Sequence, residues 1–321
     1  MALAIGLSST KVDFIDHAYV MQKSILFDGV DDFGRFNLES VSPANGTMKP
    51  LENGLTLAAW VKLTDDESDG AGVYNTTATQ GFFGCRKNGG FAIYYSNKRF
   101  SGAIALQDGD GNTATLIPVT AFSHARLLAS NQLDKPLYKS DGWHFVVMTW
   151  DGNRVANLYV DGGRDLAGTA GSAMGSMPET SESKKTAASP GGNNPSGDNK
   201  WFIKYGDDAV DEIIGSQISY NTSLTPITFP NGGYLGGYAG DFAQWNRCLT
   251  SSEVTTLYNL HKPIDMTTMH PDDITGYYRT TNTSGTNIEA VIGTDITLGQ
   301  VLSPVTEIPT LDVTTLGGGY A

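Results

Sequence analysis

The segment LTLAAWVKL, residues 55–63, constrains the fold more than any other. Leu55, Leu57, Ala59, Val61 and Leu63 alternate with Thr56, Ala58, Trp60 and Lys62, the period of two that marks a strand with one face on a core. GWHFVVMTWDGNRVANLYVDGG, residues 142–163, is apolar on both faces from Trp143 to Trp150. The turn residues Asp151, Gly152 and Asn153 and a second strand from Val155 to Val160 follow, which predicts a hairpin. The same punctuation by Gly, Asn and Asp predicts strands at Ser24 to Phe27, Gly81 to Cys85, Phe91 to Tyr95, Gly102 to Gln107, Trp201 to Tyr205 and Gly240 to Trp245. Many short strands with almost no helical periodicity point to an all-β chain built as a two-sheet sandwich or barrel.

One helix is expected, in LTSSEVTTLYNL, residues 249–260. Thr250 caps it, Glu253 is the capping-box acid, and Leu249 and Val254 form a hydrophobic staple. Val254, Leu257 and Tyr258 share a face, and the helix is expected at the sandwich edge. Residues 1–22 lack alternation and are expected to form an N-terminal arm. Residues 168–199, rich in Ser, Gly and Pro, cannot build a core and are expected to form an exposed loop. Residues 263–321 form a C-terminal extension, with candidate strands at Gly276 to Arg279 and Glu289 to Ile292. Its tail can satisfy its backbone only by adding to a surface, its own or a neighbour's.

With 21 basic against 34 acidic residues the net charge is −13, which argues against nucleic acid and anionic membranes as partners. Charged residues make up 17% and glycine numbers 38, a balance that favours strands and turns over long surface helices. No run reaches the roughly 18 apolar residues of a membrane helix. The N-terminus lacks the basic start and cleavage site of a secretory leader, so mature protein is expected there. Cys85 and Cys248 read as two buried thiols in preference to a bridge.

SILFDGVDDFGRF, LTLAAWVKL, GWHFVVMTWDGNRVANLYVDG and YLGGYAGDFAQWNRCLTSSEVTTLYN occur in that order. Together they resemble the hallmark segments of laminin G-like domains of the concanavalin A-like lectin/glucanase superfamily. The likeness spans Lys23 to Leu260 and implies a two-sheet antiparallel jelly-roll sandwich over residues 23–262, used to bind carbohydrate or protein and in some members to hold calcium. HPDDITGYYRTTNTSGTNIEAVIGTDITLGQVLSPVTEIP resembles a degenerate form of a segment that follows such domains in bacteriophage structural proteins. Tyr277, Tyr278 and Arg279 stand where that segment carries a tryptophan pair and an acidic turn. The resemblance implies a virion protein decorating a capsid or tail, its arms gripping other virion proteins and further copies of itself. The alternative is a soluble or secreted module that binds cell-surface glycans.

Because the superfamily includes glycoside hydrolases, paired carboxylates at alternating strand positions were sought. DDAVDEIIG, with Asp207, Asp208, Asp211 and Glu212, lacks that spacing and reads as a solvated loop, so no catalytic residue is assigned. The histidines show no metal spacing, and His144 is expected to bond structurally. No cofactor is required; calcium is the one ion with candidate ligands, at Asp28, Asp31 and Asp32 and at Asp108, Asp110 and Asn112. Both groups are equally explained by turn chemistry, and Val119 at the twelfth position from Asp108 excludes an EF-hand. Sugar stacking needs exposed aromatics, for which the candidates are Tyr74, Tyr94, Tyr95, Tyr234 and Tyr238; alternating strand aromatics more often face a core.

Overall fold

The predicted strands assemble by antiparallel pairing throughout. The structure is a computed structural model and describes residues 21, 23–30, 32–36, 54–63, 80–85, 90–96, 99–107, 114–120, 143–152, 155–163, 183–186, 202–203, 212–216, 233–259, 262–284, 287–293, 296–298 and 304–305. In chain order the strands are β1 (Ser24–Asp28), β2 (Gly34–Phe36), β3 (Leu55–Leu63), β4 (Gln80–Cys85), β5 (Phe91–Ser96), β6 (Arg99–Gln107) and β7 (Ala114–Thr120). Then come β8 (His144–Trp150), β9 (Val155–Val160), β10 (Ser183–Thr186), β11 (Phe202–Ile203), β12 (Glu212–Ile214) and β13 (Gly236–Trp245). Helix α1 (Ser251–Tyr258) precedes β14 (Ile274–Ser284), β15 (Asn287–Ile292), β16 (Ile296–Leu298) and β17 (Pro304–Val305).

Two antiparallel sheets result. In the first, β13 pairs with β3, β3 with β8, β8 with β9 and β9 with β10. The other edge of β13 is shared by β1 and β14. The second sheet runs β2, β12, β4, β5, β6 and β7. Leu55, Leu57, Ala59, Val61 and Leu63 of β3 face Phe91, Ile93, Tyr95, Phe100 and Ile104 of the second sheet across the main core.

The even face of β3 is also buried. Ala58 and Trp60 join Phe145, Val147, Ala243, Trp245 and the helix residues Val254, Leu257 and Tyr258 in a second core outside the first sheet. Trp60 stacks on Tyr258 with ring centroids 6.0 Å apart. The helix therefore lies on the face of the sheet and not at its edge, because Trp60 and Phe145 present an apolar surface that a hydrated edge would leave exposed. Its capping box forms as expected: Thr250 Oγ1 accepts the Glu253 N–H at 3.3 Å, and Glu253 Oε2 accepts the Thr250 N–H at 2.7 Å. At Gly162, with φ of 72°, an added Cβ would lie 2.9 Å from the Tyr258 ring, so the absence of a side chain lets the helix dock there.

A bulge in β13 lets one strand serve both cores. The β3 register shifts between Gly240 and Ala243, and Asp241, wholly buried, takes a left-handed φ of 48°. Ala239 faces the main core before the bulge and Phe242 after it, while Ala243 and Trp245 turn to the second core.

The C-terminal extension closes the sandwich on one side. β14 pairs with β13 in the first sheet, β15 with β14, β16 with β15, and β16 with β2 in the second sheet. Its connector, residues 262–273, is fastened by Trp245 Nε1 donating to the Met269 carbonyl at 2.8 Å, Glu253–His270 at 2.5 Å and Arg247–Asp273 at 3.4 Å. Arg279 pairs with Asp265 and donates to the Tyr277 hydroxyl at 3.2 Å. Burial opposes the charge on Asp265, but the Arg279 and Thr267 hydrogen bonds outweigh it and hold the carboxyl below its usual range.

Two further expectations change, each by the addition of a strand. Ser183–Thr186, inside the segment expected to be a loop, pairs with β9 as an added edge strand. Glu212–Ile214, expected in a solvated loop, is a strand between β2 and β4, its backbone taken up on both sides. Cys248 is a free thiol whose ionisation burial pushes up. Met21 of the expected arm packs in the second core, and residues 1–20 lie outside the described residues.

Replacing Trp245 by Ala should cost about 3–5 kcal/mol in a denaturant titration, from the lost ring and the freed Met269 carbonyl. Burial raises the Glu253 carboxyl, but hydrogen bonds from His270 and from the Thr250 amide and hydroxyl outweigh that and bring it from 4.5 to about 2. A lowered folded-state value stabilises above the unfolded value, and the gain is lost as pH falls from about 4.5 towards 2. Thermal melts across that window should show a decline that Glu253→Gln reduces.

Candidate functional site

Candidate residues from distant segments converge on one end of the sandwich, where β1, β3 and β9 finish and β4, β8 and β13 begin. Asp28 ends β1 opposite Gly236 at the start of β13, and Leu63 ends β3 opposite Gly237. Gln80 begins β4, and its side-chain carbonyl accepts the Gly236 N–H at 3.1 Å. Gly81 N donates to the Gly233 carbonyl at 3.0 Å, and Tyr234 bridges to Ser216.

Under this rim is a buried pin. His144 Nδ1 lies 2.8 Å from Asp161 Oδ2, and Asp161 Oδ1 accepts the Phe145 N–H at 2.9 Å. Asp161 has a left-handed φ of 55° and only 7% exposure, and it ties the end of β9 to the start of β8. His144 is thus a structural histidine, as its strand position predicts; Asp161 looks like one more turn residue in VDGG and was missed.

The sequence-predicted tyrosines divide. Tyr95 is fully buried in the main core, edge-on to Phe100, and presents no face to a sugar. This corrects its assignment: Phe91, Ile93 and Tyr95 share the inward face of β5, so Tyr94 is the outward one. Tyr94 is half-exposed, opposite Gly81 on β4 and Ser101 on β6. Tyr234 is half-exposed in the segment leading to β13. Tyr238 is half-exposed on the outer face of the first sheet, opposite Leu26 of β1 and Lys62 of β3. Tyr74 lies outside the described residues.

Asp28 and Asp32 hold a turn that carries the chain from β1 in the first sheet to β2 in the second: Asp28 Oδ1 accepts the Val30 N–H at 2.7 Å, and Asp32 Oδ2 accepts the Asp28 N–H at 2.9 Å. A calcium ion there would need Asp31 as well, which lies outside the described residues, as do Asp108, Asp110 and Asn112. Among the described residues no three His, Cys, Asp or Glu side chains gather as a metal site.

What the rim gathers is half-exposed aromatic surface beside carboxylate, amide and ammonium groups, a set suited to stacking on a ring and bonding its hydroxyls. A family model described as the concanavalin A-like lectin/glucanases superfamily matches residues 39–202, just over half of the chain. The chain belongs to this superfamily. Among solved structures, a Bacteroides ovatus protein assigned to carbohydrate binding superposes with a TM-score of 0.51 at 13% identity, covering 92% of this chain and 63% of its own. The chain therefore spans less than two thirds of that structure. A heptameric pentraxin of Limulus polyphemus gives 0.45 at 13% identity, covering 91% of this chain and 98% of its own. The LG1-3 region of the laminin α2 chain gives 0.35 at 13%, covering 71% and 31%. No curated protein sequence matches. The two-sheet jelly roll of the superfamily is thus present, with a C-terminal bridge between its sheets.

Replacing Asp161 by Ala should cost about 3–5 kcal/mol, since it leaves His144 and the Phe145 amide buried without the carboxylate. Urea titration of the variant beside wild type checks this.

Proposed function

We propose that the chain is a non-catalytic glycan-binding module acting outside the cell, with its binding surface at the rim end of the sandwich. One observation carries this: at the rim of a lectin-superfamily jelly roll, Tyr238 stands half-exposed on the outer face of the first sheet with the Lys62 ammonium 5.6 Å from its ring centroid. Half-exposed rings beside polar groups are what a pyranose needs, one apolar face to stack on and hydroxyls to bond.

The carboxylates near this surface support binding over hydrolysis. Asp161 is held by His144 and the Phe145 amide, and Asp28 and Asp32 each accept a backbone N–H in the turn between β1 and β2. A glycosidase needs an acid and a base facing one bond with oxygens available to it.

A virion decoration role, suggested by the resemblance of the C-terminal segment to phage structural proteins, is the second possibility. The specific expectation behind it was an extension used to grip neighbours. Strands β14–β16 instead pair within the chain's own two sheets, which favours the glycan module. No helix among the described residues is long and apolar enough to cross a membrane.

On a glycan array the purified chain should bind a subset of saccharides saturably, and Ala at Tyr94, Tyr234 or Tyr238 should weaken the interaction about tenfold or more for at least one site, a change of about 1.4 kcal/mol. Absence of saturable binding across the array, with capture by purified phage particles instead, would favour the virion role. Release of reducing ends from a polymer would overturn the non-catalytic assignment.

A further inference from the structure

We propose that the row Leu26, Tyr238, Lys62 and Trp143 on the outer face of the first sheet is a subsite for one acidic sugar residue, a pyranose bearing a carboxylate or sulfate. The proposal rests on the glycan-binding function above and names its ligand class and anchor. Leu26 lies opposite Tyr238, and Tyr238 opposite Lys62. Val61 opposite His144 brings Trp143, the preceding residue, alongside Lys62. The ammonium of Lys62 sits 5.6 Å from the centroid of the Tyr238 ring, and the Trp143 and Tyr238 rings are 6.3 Å apart.

One step along the strands lies the row Gly240, Trp60 and Phe145, where Tyr258 of the helix stacks on Trp60. There the outer face is sealed. At the Leu26 row the cover thins: Leu26 is 39% exposed and Tyr238 and Lys62 are half-exposed, while Trp143, buried at 4%, backs the Tyr238 ring from the core side. The row is the wet margin of a dry aromatic core, and its apolar surface suits the C–H face of a pyranose. One step the other way, Asp28 lies opposite Gly236, whose missing side chain leaves room beside the Tyr238 ring.

Charge selects among sugars. A lysine held against an aromatic face is partly desolvated, which strengthens its attraction for an anion. Pairing it with a carboxylate or sulfate adds a charge–charge attraction that a hydroxyl cannot supply. The net charge of −13 and Asp28 at the end of β1 oppose a long run of anions. With screening over about 8 Å at physiological salt, a single acid on Lys62 escapes most of that repulsion, whereas a polyanion does not. The preferred class is an oligosaccharide with one acidic residue.

Calorimetry with the full chain tests this, using lactose, sialyllactose, a glucuronate-terminated trisaccharide and heparin. An acidic trisaccharide should bind about tenfold or more tightly than its neutral counterpart and more tightly than heparin. Lys62→Met and Lys62→Gln should remove that preference, weakening the acidic trisaccharide about tenfold or more so that its affinity falls to that of its neutral counterpart measured on the same variant. Tyr238→Ala should abolish binding of both, and Tyr238→Phe should keep it, with thermal melts confirming that each variant is folded. Equal affinity for acidic and neutral ligands, tighter binding of heparin, or a preference that survives both lysine variants overturns the proposal. Binding of glycans unaffected by Tyr238→Ala overturns this subsite and leaves the glycan-binding function standing; binding of no glycan by any route overturns both.

Discussion

The buried bulge at Asp241 is the constraint on which the rest of the structure depends. A strand of strict alternation would send Ala239 and Trp245 to the same side. Because β13 inserts an extra residue there, Phe242 enters the main core and Trp245 the second one. That switch adds Ala243 and Trp245 to the surface of Trp60 and Phe145 on which helix α1 packs. The 262–273 connector depends on it too, anchored through the Trp245 indole to the Met269 carbonyl. Asp suits the position because its short polar side chain tolerates left-handed backbone better than most residues do.

Much of the architecture was legible in the amino-acid sequence. Alternation in LTLAAWVKL, the hairpin around Asp151 to Asn153, and the Thr250–Glu253 capping box each express one local rule, and each appears at its expected place. Harder to see were short strands such as β2 and β12, three residues each, whose existence depends on partners more than 170 positions away. Lys62 and Leu26 escaped notice for the same reason. Lys62 looked like the polar side of an amphipathic strand, and nothing local says that Tyr238 is its cross-strand neighbour. Tyr95 and Tyr94 could have been separated, since the parity of Phe91 and Ile93 already assigns them to opposite faces.

Function follows from how the two cores end. The main core is closed at the rim by the His144–Asp161 pair, which holds polar groups inside without leaving the Phe145 amide idle. Among the described residues, the aromatic surface of the second core runs out to solvent at Tyr238, with Trp143 still buried beside it. Lys62 and Asp28 at that margin give it polarity of both signs, which a purely structural patch would not need.

The bridge made by β14, β15 and β16 also orders events in time. Arg35 of β2 finds its β16 partner in Thr297, so an earlier strand waits for one made more than 200 positions later. During translation the two sheets can form and face each other, but the side that the bridge covers stays open, with backbone donors and acceptors still held by water. Contacts of such long sequence separation fold slowly and leave sheet edges accessible to other chains meanwhile. Holding the nascent chain until β16 emerges is therefore a burden this design places on its host, one that a sandwich closed by its own early strands would avoid.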